Sequence, residues 1–148
     1  MKFEYRFQNL LEIKEREKDE AYVSYQNAVH QFEKAATTLY EFLRKKENLE
    51  QVQSNELQKG FTVNGIRQYQ QFLQSMTETI DHWQLEVIQA REQMQSLKDE
   101  LLERDIECKK YERLKEKNEE SFLQFIQRHE NTQMDELAAI QYSHRKGN

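Results

Sequence analysis

Proline is absent from this 148-residue chain, and glycine occurs only three times. With no proline, no position lacks the backbone N–H that a helix uses. Two of the glycines, Gly60 and Gly65, fall within the stretch Lys59–Gly65, and the third, Gly147, is next to the last residue. A lone cysteine, Cys108, excludes an internal disulfide and any framework built on one. The longest apolar run, Leu137 to Ile140, is far short of the roughly 20 residues of a membrane helix, so direct membrane insertion is not expected. Met1-Lys2-Phe3-Glu4-Tyr5-Arg6 has no apolar core of the kind a secretory signal carries, and a cytoplasmic location is the expectation. Blocks of one charge sign are missing as well. The 22 basic and 27 acidic residues are interspersed, with a net charge of -5, so the footprint of a nucleic-acid binder is lacking. No glycine-rich phosphate loop, no G-x-S-x-G elbow and no Cys/His zinc spacing occurs, and neither an enzyme nor a cofactor is expected.

What is present is helix. The chain is 36% hydrophobic and 33% charged, a balance that fits long helices or a coiled coil better than a compact globule. Disorder is the competing reading of so much charge, and regular apolar spacing argues against it. From about Phe3 to Leu57, alternating steps of four and three give Phe7, Leu11, Lys14, Lys18, Ala21, Tyr25, Ala28, Phe32, Ala35, Leu39, Phe42, Lys46 and Leu49. From about Ile66 to Ile140 the same steps give Tyr69, Leu73, Met76, Ile80, Trp83, Val87, Ala90, Met94, Leu97, Leu101, Arg104, Cys108 and Tyr111. That second seam resumes at Phe122 and Phe125 after the polar Lys115 and Asn118.

Residues 59–65 separate the two patterns. Glycine there accepts the positive φ that ends a helix, and Asn64 offers a cap for the next one. The expected fold is all-α: one antiparallel coiled-coil hairpin with helices over about 3–57 and 66–140 and a flexible tail over 141–148. Folding about the bend places Leu39 against Trp83, Ala35 against Val87, Phe32 against Ala90, Ala28 against Met94 and Tyr25 against Leu97. Lys18 then faces Arg104 and Lys14 faces Cys108, a poor stretch of seam. This register leaves the second helix overhanging the first by roughly 15 to 20 residues. One buried stripe per helix barely offsets chain entropy, so a firm middle and fraying ends are expected.

Lys14 to Glu20 is an unbroken charged run, and Glu112 to Glu120 is nearly so. Such runs are ordinarily solvated helix faces with i,i+4 pairs; the sharper reading is a docking end for a partner. His82 and Glu86 share a helix face but lack a third metal ligand. Cys108 sits beside Lys109 and Lys110, which could lower its pKa, although a seam cysteine ordinarily serves as a small hydrophobe. His30, His129 and His144 have no recognisable partners, and His144-Arg145-Lys146 is too short for stable membrane or nucleic-acid binding. Phe72 falls beside the second seam, as Phe42, Tyr40 and Leu43 do near the first. Each is either flanking core or part of an apolar binding patch.

Three stretches in order carry a resemblance. The opening Phe3-Glu4-Tyr5-Arg6-Phe7-Gln8-Asn9-Leu10-Leu11-Glu12-Ile13-Lys14-Glu15-Arg16-Glu17 is the first, and Tyr69-Gln70-Gln71-Phe72-Leu73-Gln74 follows the bend. Lys109-Lys110-Tyr111-Glu112-Arg113-Leu114, with Met134-Asp135-Glu136-Leu137-Ala138 beyond it, is the third. Together they resemble the FliJ family of flagellar type III export proteins. The resemblance implies a non-enzymatic stalk, similar in fold to the γ subunit of rotary ATPases, at the centre of the hexameric export ATPase (FliI). It also implies promotion of ring assembly, contact with the export-gate protein FlhA, an escort role toward export chaperones, and a peripheral position at the membrane of the flagellar base.

Carried over by matching positions, the implied ATPase-binding residues are Phe7, Leu10, Leu11, Lys14, Lys110, Leu114, Arg128, Met134, Asp135 and Glu136. The implied gate-binding residues are Phe72, Met76 and Trp83, with Phe42 and Leu49 on the first helix. Thr79 and Trp83 depart from the family pattern, as does Lys45 where an aromatic is expected. The rival readings are the stalk of a virulence secretion system, a structural coiled-coil homodimer and, more remotely, a metal-dependent enzyme.

Overall fold

The computed structural model describes residues 2–146, which form two α-helices, α1 (Gln8–Leu57) and α2 (Val63–Lys146), with no strand among the described residues. The all-α hairpin expected from the two heptad patterns is the fold observed. Nearly every seam position is buried or half-buried on both helices. This holds on α1 from Leu11 to Leu49 and on α2 from Tyr69 through Lys115 and Asn118 to Phe122. The polar interruptions therefore keep the heptad phase and stay in the seam.

The turn spans residues 58–62. The Lys59 amide donates to the Glu56 carbonyl at 2.9 Å, which tightens the last turn of α1, and Gly60 follows at φ +97. The cap of α2 is Thr62 rather than the expected Asn64, and α2 starts three residues earlier than expected. Thr62 Oγ1 accepts from the Gly65 amide at 3.2 Å, and the Ile66 amide donates to the Thr62 carbonyl at 3.1 Å. Gly65 serves a different need. A Cβ there would come within 2.8 Å of the Phe61 ring, which folds over the first turn.

α1 begins at Gln8 and not at Phe3. Lys2–Tyr5 is a non-helical strap, and the Gln8 amide donates to the Tyr5 carbonyl at 3.1 Å as the helix starts. In an extended segment Phe3 and Tyr5 lie on one side, whereas in a helix they would diverge by about 200°. The strap lays both on α2. Tyr5 Oη donates to the Tyr111 carbonyl at 3.0 Å, and the Phe3 ring lies 5.5 Å from that of Phe122. At its far end α2 continues past Ile140 to Lys146, with His144, Arg145 and Lys146 complementing the helix dipole. Part of the expected flexible tail is thus helical, and Gly147 and Asn148 lie outside the described residues.

Two compact units are distinguishable, Asp19–Leu102 and the remainder on either side of it. In the first, Ala21, Ala28 and Ala35 are buried at heptad spacing on α1, as are Gln53 on α1 and Ile80 on α2. In the second, Leu11, Tyr5 and Cys108 form a core cluster with Phe3 and Tyr111 packed against it. Cys108, at 1% exposure, is the most enclosed of the buried side chains among the described residues. This corrects the expectation of a poor seam at Lys14 and Cys108: the strap adds a third layer that a two-stripe seam lacks. Beyond Ile126 the covering stops, and residues 127–146 are exposed throughout.

The turn gives the first prediction. Gly60→Ala places a Cβ at a positive φ and should cost about 1–2 kcal/mol, read as a lower melting temperature. A melting temperature equal to the parent's would show that the turn does not depend on that backbone conformation.

Candidate functional site

Around the strap, charge and apolar groups are sorted with some care. Lys14 Nζ lies 3.2 Å from Glu107 on α2 and 3.6 Å from Glu17 on its own helix. Lys18 lies 3.6 Å from Asp105, and Arg104 Nη1 donates to Glu17 at 3.0 Å. Each α2 partner is at, or one residue from, the position that the hairpin register sets opposite. The seam's basic residues are therefore the cross-links of the two helices here. Their carboxylate partners hold Lys14 above its ordinary pKa, chiefly through the Glu107 contact. Asp105 is held below the usual carboxylate range, chiefly by Lys109 at 2.9 Å.

Cys108 lies within this lattice, and its thiol donates to Glu112 Oε1 at 3.6 Å. Burial pushes its pKa up, and the Glu112 carboxylate adds to the rise. The neighbouring lysines do not activate it: Lys109 is turned to Asp105. Glu15, Cys108 and Glu112 bring three ligand atoms within 4.8 Å of one another. Within this trio the Cys108 thiol is engaged in its hydrogen bond to Glu112. His82 and Glu86 form an exposed 4.0 Å pair. Tyr5 is not recognisable from heptad spacing because its role depends on the strap, whereas Glu112 reaches Cys108 from one turn along the same helix.

The residues implied for ATPase contact divide by exposure. Leu11 is buried in the core cluster, and Lys14 is occupied by its ion pairs. Leu10 is half-buried, and Phe7 falls in the turn before α1, exposed. Lys110, Leu114, Arg128, Met134, Asp135 and Glu136 are all exposed, the last four on the uncovered part of α2. Among the residues implied for gate contact, Phe72 is 54% exposed, while Met76, Trp83, Phe42 and Leu49 are half-buried. At 100° per residue Phe72, Met76 and Trp83 lie within about 40° of one another, along one edge of the α2 seam.

Against known proteins, a profile described as "Flagellar FliJ protein" matches residues 1–147. The chain belongs to the FliJ family. It is 41% identical over 142 residues to the flagellar FliJ protein of Bacillus subtilis (strain 168), covering 96% of this chain and 97% of that protein. No solved structure matches it. Membership makes the chain a component of the flagellar export apparatus, in a family of accessory proteins and not of enzymes. No helix among the described residues is long and apolar enough to cross a membrane.

Cys108 yields the second prediction. Its raised pKa favours the neutral thiol in the folded chain, so it stabilises the fold below the thiol's unfolded pKa. That contribution is lost as pH rises through the folded value. Iodoacetamide at pH 8.5 should label the native chain at least about tenfold more slowly than the urea-unfolded chain. Equal rates would refute the enclosed, neutral thiol.

Proposed function

We propose that this chain is the non-enzymatic central stalk of the flagellar type III export ATPase (FliI). In this reading the end bearing the strap seats in the ATPase ring, and the Phe72 edge reaches the export gate (FlhA). The observation that carries the reading is the state of α2 beyond Ile126. Twenty helical residues without a covering partner expose Met134, Leu137 and Ile140 beside Arg128, Asp135 and Glu136. A helix that keeps apolar residues uncovered in this way presents them to another protein.

The strap and the ion-pair lattice support the same reading, because they brace the hairpin just before the uncovered part. Binding to an assembled ring favours the hexamer by linkage, and a helical pair that shows different faces to six subunits biases them unequally. An escort role toward export chaperones and a peripheral place at the membrane of the flagellar base belong to the same proposal. A virulence-system stalk would share the shape, and the flagellar family match favours the flagellar assignment. A parallel homodimer is disfavoured by seams that α1 and α2 already cover for each other.

The third prediction is a paired pull-down. Phe72→Ala should weaken gate binding by about tenfold or more and leave ATPase binding intact. Truncation after Asn131, which among the described residues removes only exposed ones, should do the reverse. Added to ATPase below its assembly concentration, the wild type should raise both ring formation and turnover. If neither responds, the stalk mechanism is wrong.

A further inference from the structure

A sequence that reads as mixed charge folds into a segregated surface on α2. Between Arg104 and Glu112 the carboxylates are engaged, Asp105 with Lys18 and Lys109, Glu107 with Lys14, and Glu112 with Cys108. At 100° per residue, the positions that meet α1 centre on one side of α2. Ile106, Lys109, Lys110, Arg113, Leu114 and Lys117 centre on the opposite side and together line a groove along the helix.

All six are exposed, Ile106 at 66%. Lys109 pairs with Asp105 at 2.9 Å, whereas among the described residues Lys110, Arg113 and Lys117 have no carboxylate within ion-pair reach. Glu103 and Glu120 close this face at its two ends, and Glu116 lies at its edge.

We propose that this groove docks an acidic amphipathic helix of a protein partner. The lining recurs at i, i+3, i+4, i+7, i+8 and i+11, the spacing at which a second helix seats along the first. Ile106 and Leu114 take the partner's apolar residues, and Lys110, Arg113 and Lys117 take its carboxylates. Charge complementarity selects this occupant. Three unpaired cations in one short row neutralise too few phosphates for nucleic acid. Two apolar side chains between acidic ends give too little insertion for a bilayer. The proposal rests on the docking reading above in using Lys110 and Leu114 at the same end. It adds the chemistry that the partner must bring.

The test titrates the full chain against a labelled three-heptad peptide, Leu at the seam positions and Glu elsewhere, followed by fluorescence anisotropy. Its all-Gln counterpart and phosphatidylserine vesicles are run in parallel. The wild type should bind the Glu peptide at least about tenfold more tightly than the Gln peptide, and added salt should weaken that binding. The Lys110→Gln/Arg113→Gln/Lys117→Gln variant should lose at least about tenfold, and Ile106→Ser should lose several-fold. Helicity by circular dichroism should stay at the parent level in both, because every altered side chain is exposed. The proposal is overturned by absent binding, by equal binding of the two peptides, by an unaffected triple variant, or by vesicles bound in preference to the peptide. No ATPase enters this titration. Failure of the stalk reading therefore leaves its answer intact, and a failed titration leaves docking through residues 127–146 untouched.

Discussion

Two helices that pack only against each other have one stripe each to bury, and every other feature of this fold responds to that shortage. Along Asp19–Leu102 the response is close approach: alanines at heptad intervals on α1 let larger side chains of α2 come near. In the unit that holds the strap the seam positions include Lys14, Lys18 and Arg104, which cannot pack in that way. There the response is a third layer. Phe3 and Tyr5 come across as an extended strap, and Cys108 becomes more enclosed than any large seam residue near the turn.

The same shortage decides where charge goes. A lysine at a seam position costs stability unless a carboxylate meets it, and Lys14 and Lys18 are met from across the seam by Glu107 and Asp105. These pairs are partly exposed, so each contributes little on its own. Together the three cross-seam pairs favour the register in which they form. Consuming carboxylates on the α1 side also leaves cations on the far side of α2. The basic, apolar groove is thus a by-product of how the seam is closed.

Heptad spacing made the hairpin legible, down to which polar residues stay in the seam, because period and phase are written in the residues themselves. The glycine of the turn was legible for the same reason: few residues tolerate a positive φ. The strap was not. Phe3, Phe7 and Leu11 also fit a helical period, and only the presence of α2 makes the extended alternative better by burying Phe3 and Tyr5 together. Thr62 and Asn64 are both competent caps by residue type, and spacing alone does not choose between them. Among the implied docking residues, family position identified candidates but could not separate contact from support, since that depends on burial.

Burial identifies the supporting ones. Leu11 and Lys14 are committed to holding the helices together, so substitutions there would disturb the support of any docking surface without touching a partner. A hairpin built on one seam has little freedom at those positions, because the seam must pack and pair its charges. On the proposed reading, discrimination between partners comes from positions flanking the seam or beyond its end. In this chain those are the Phe72 edge, the groove at Ile106 to Lys117, and the uncovered turns after Ile126. Substitutions that retarget binding without loss of helicity should map to these three surfaces, while those that abolish all binding together should map to the seam.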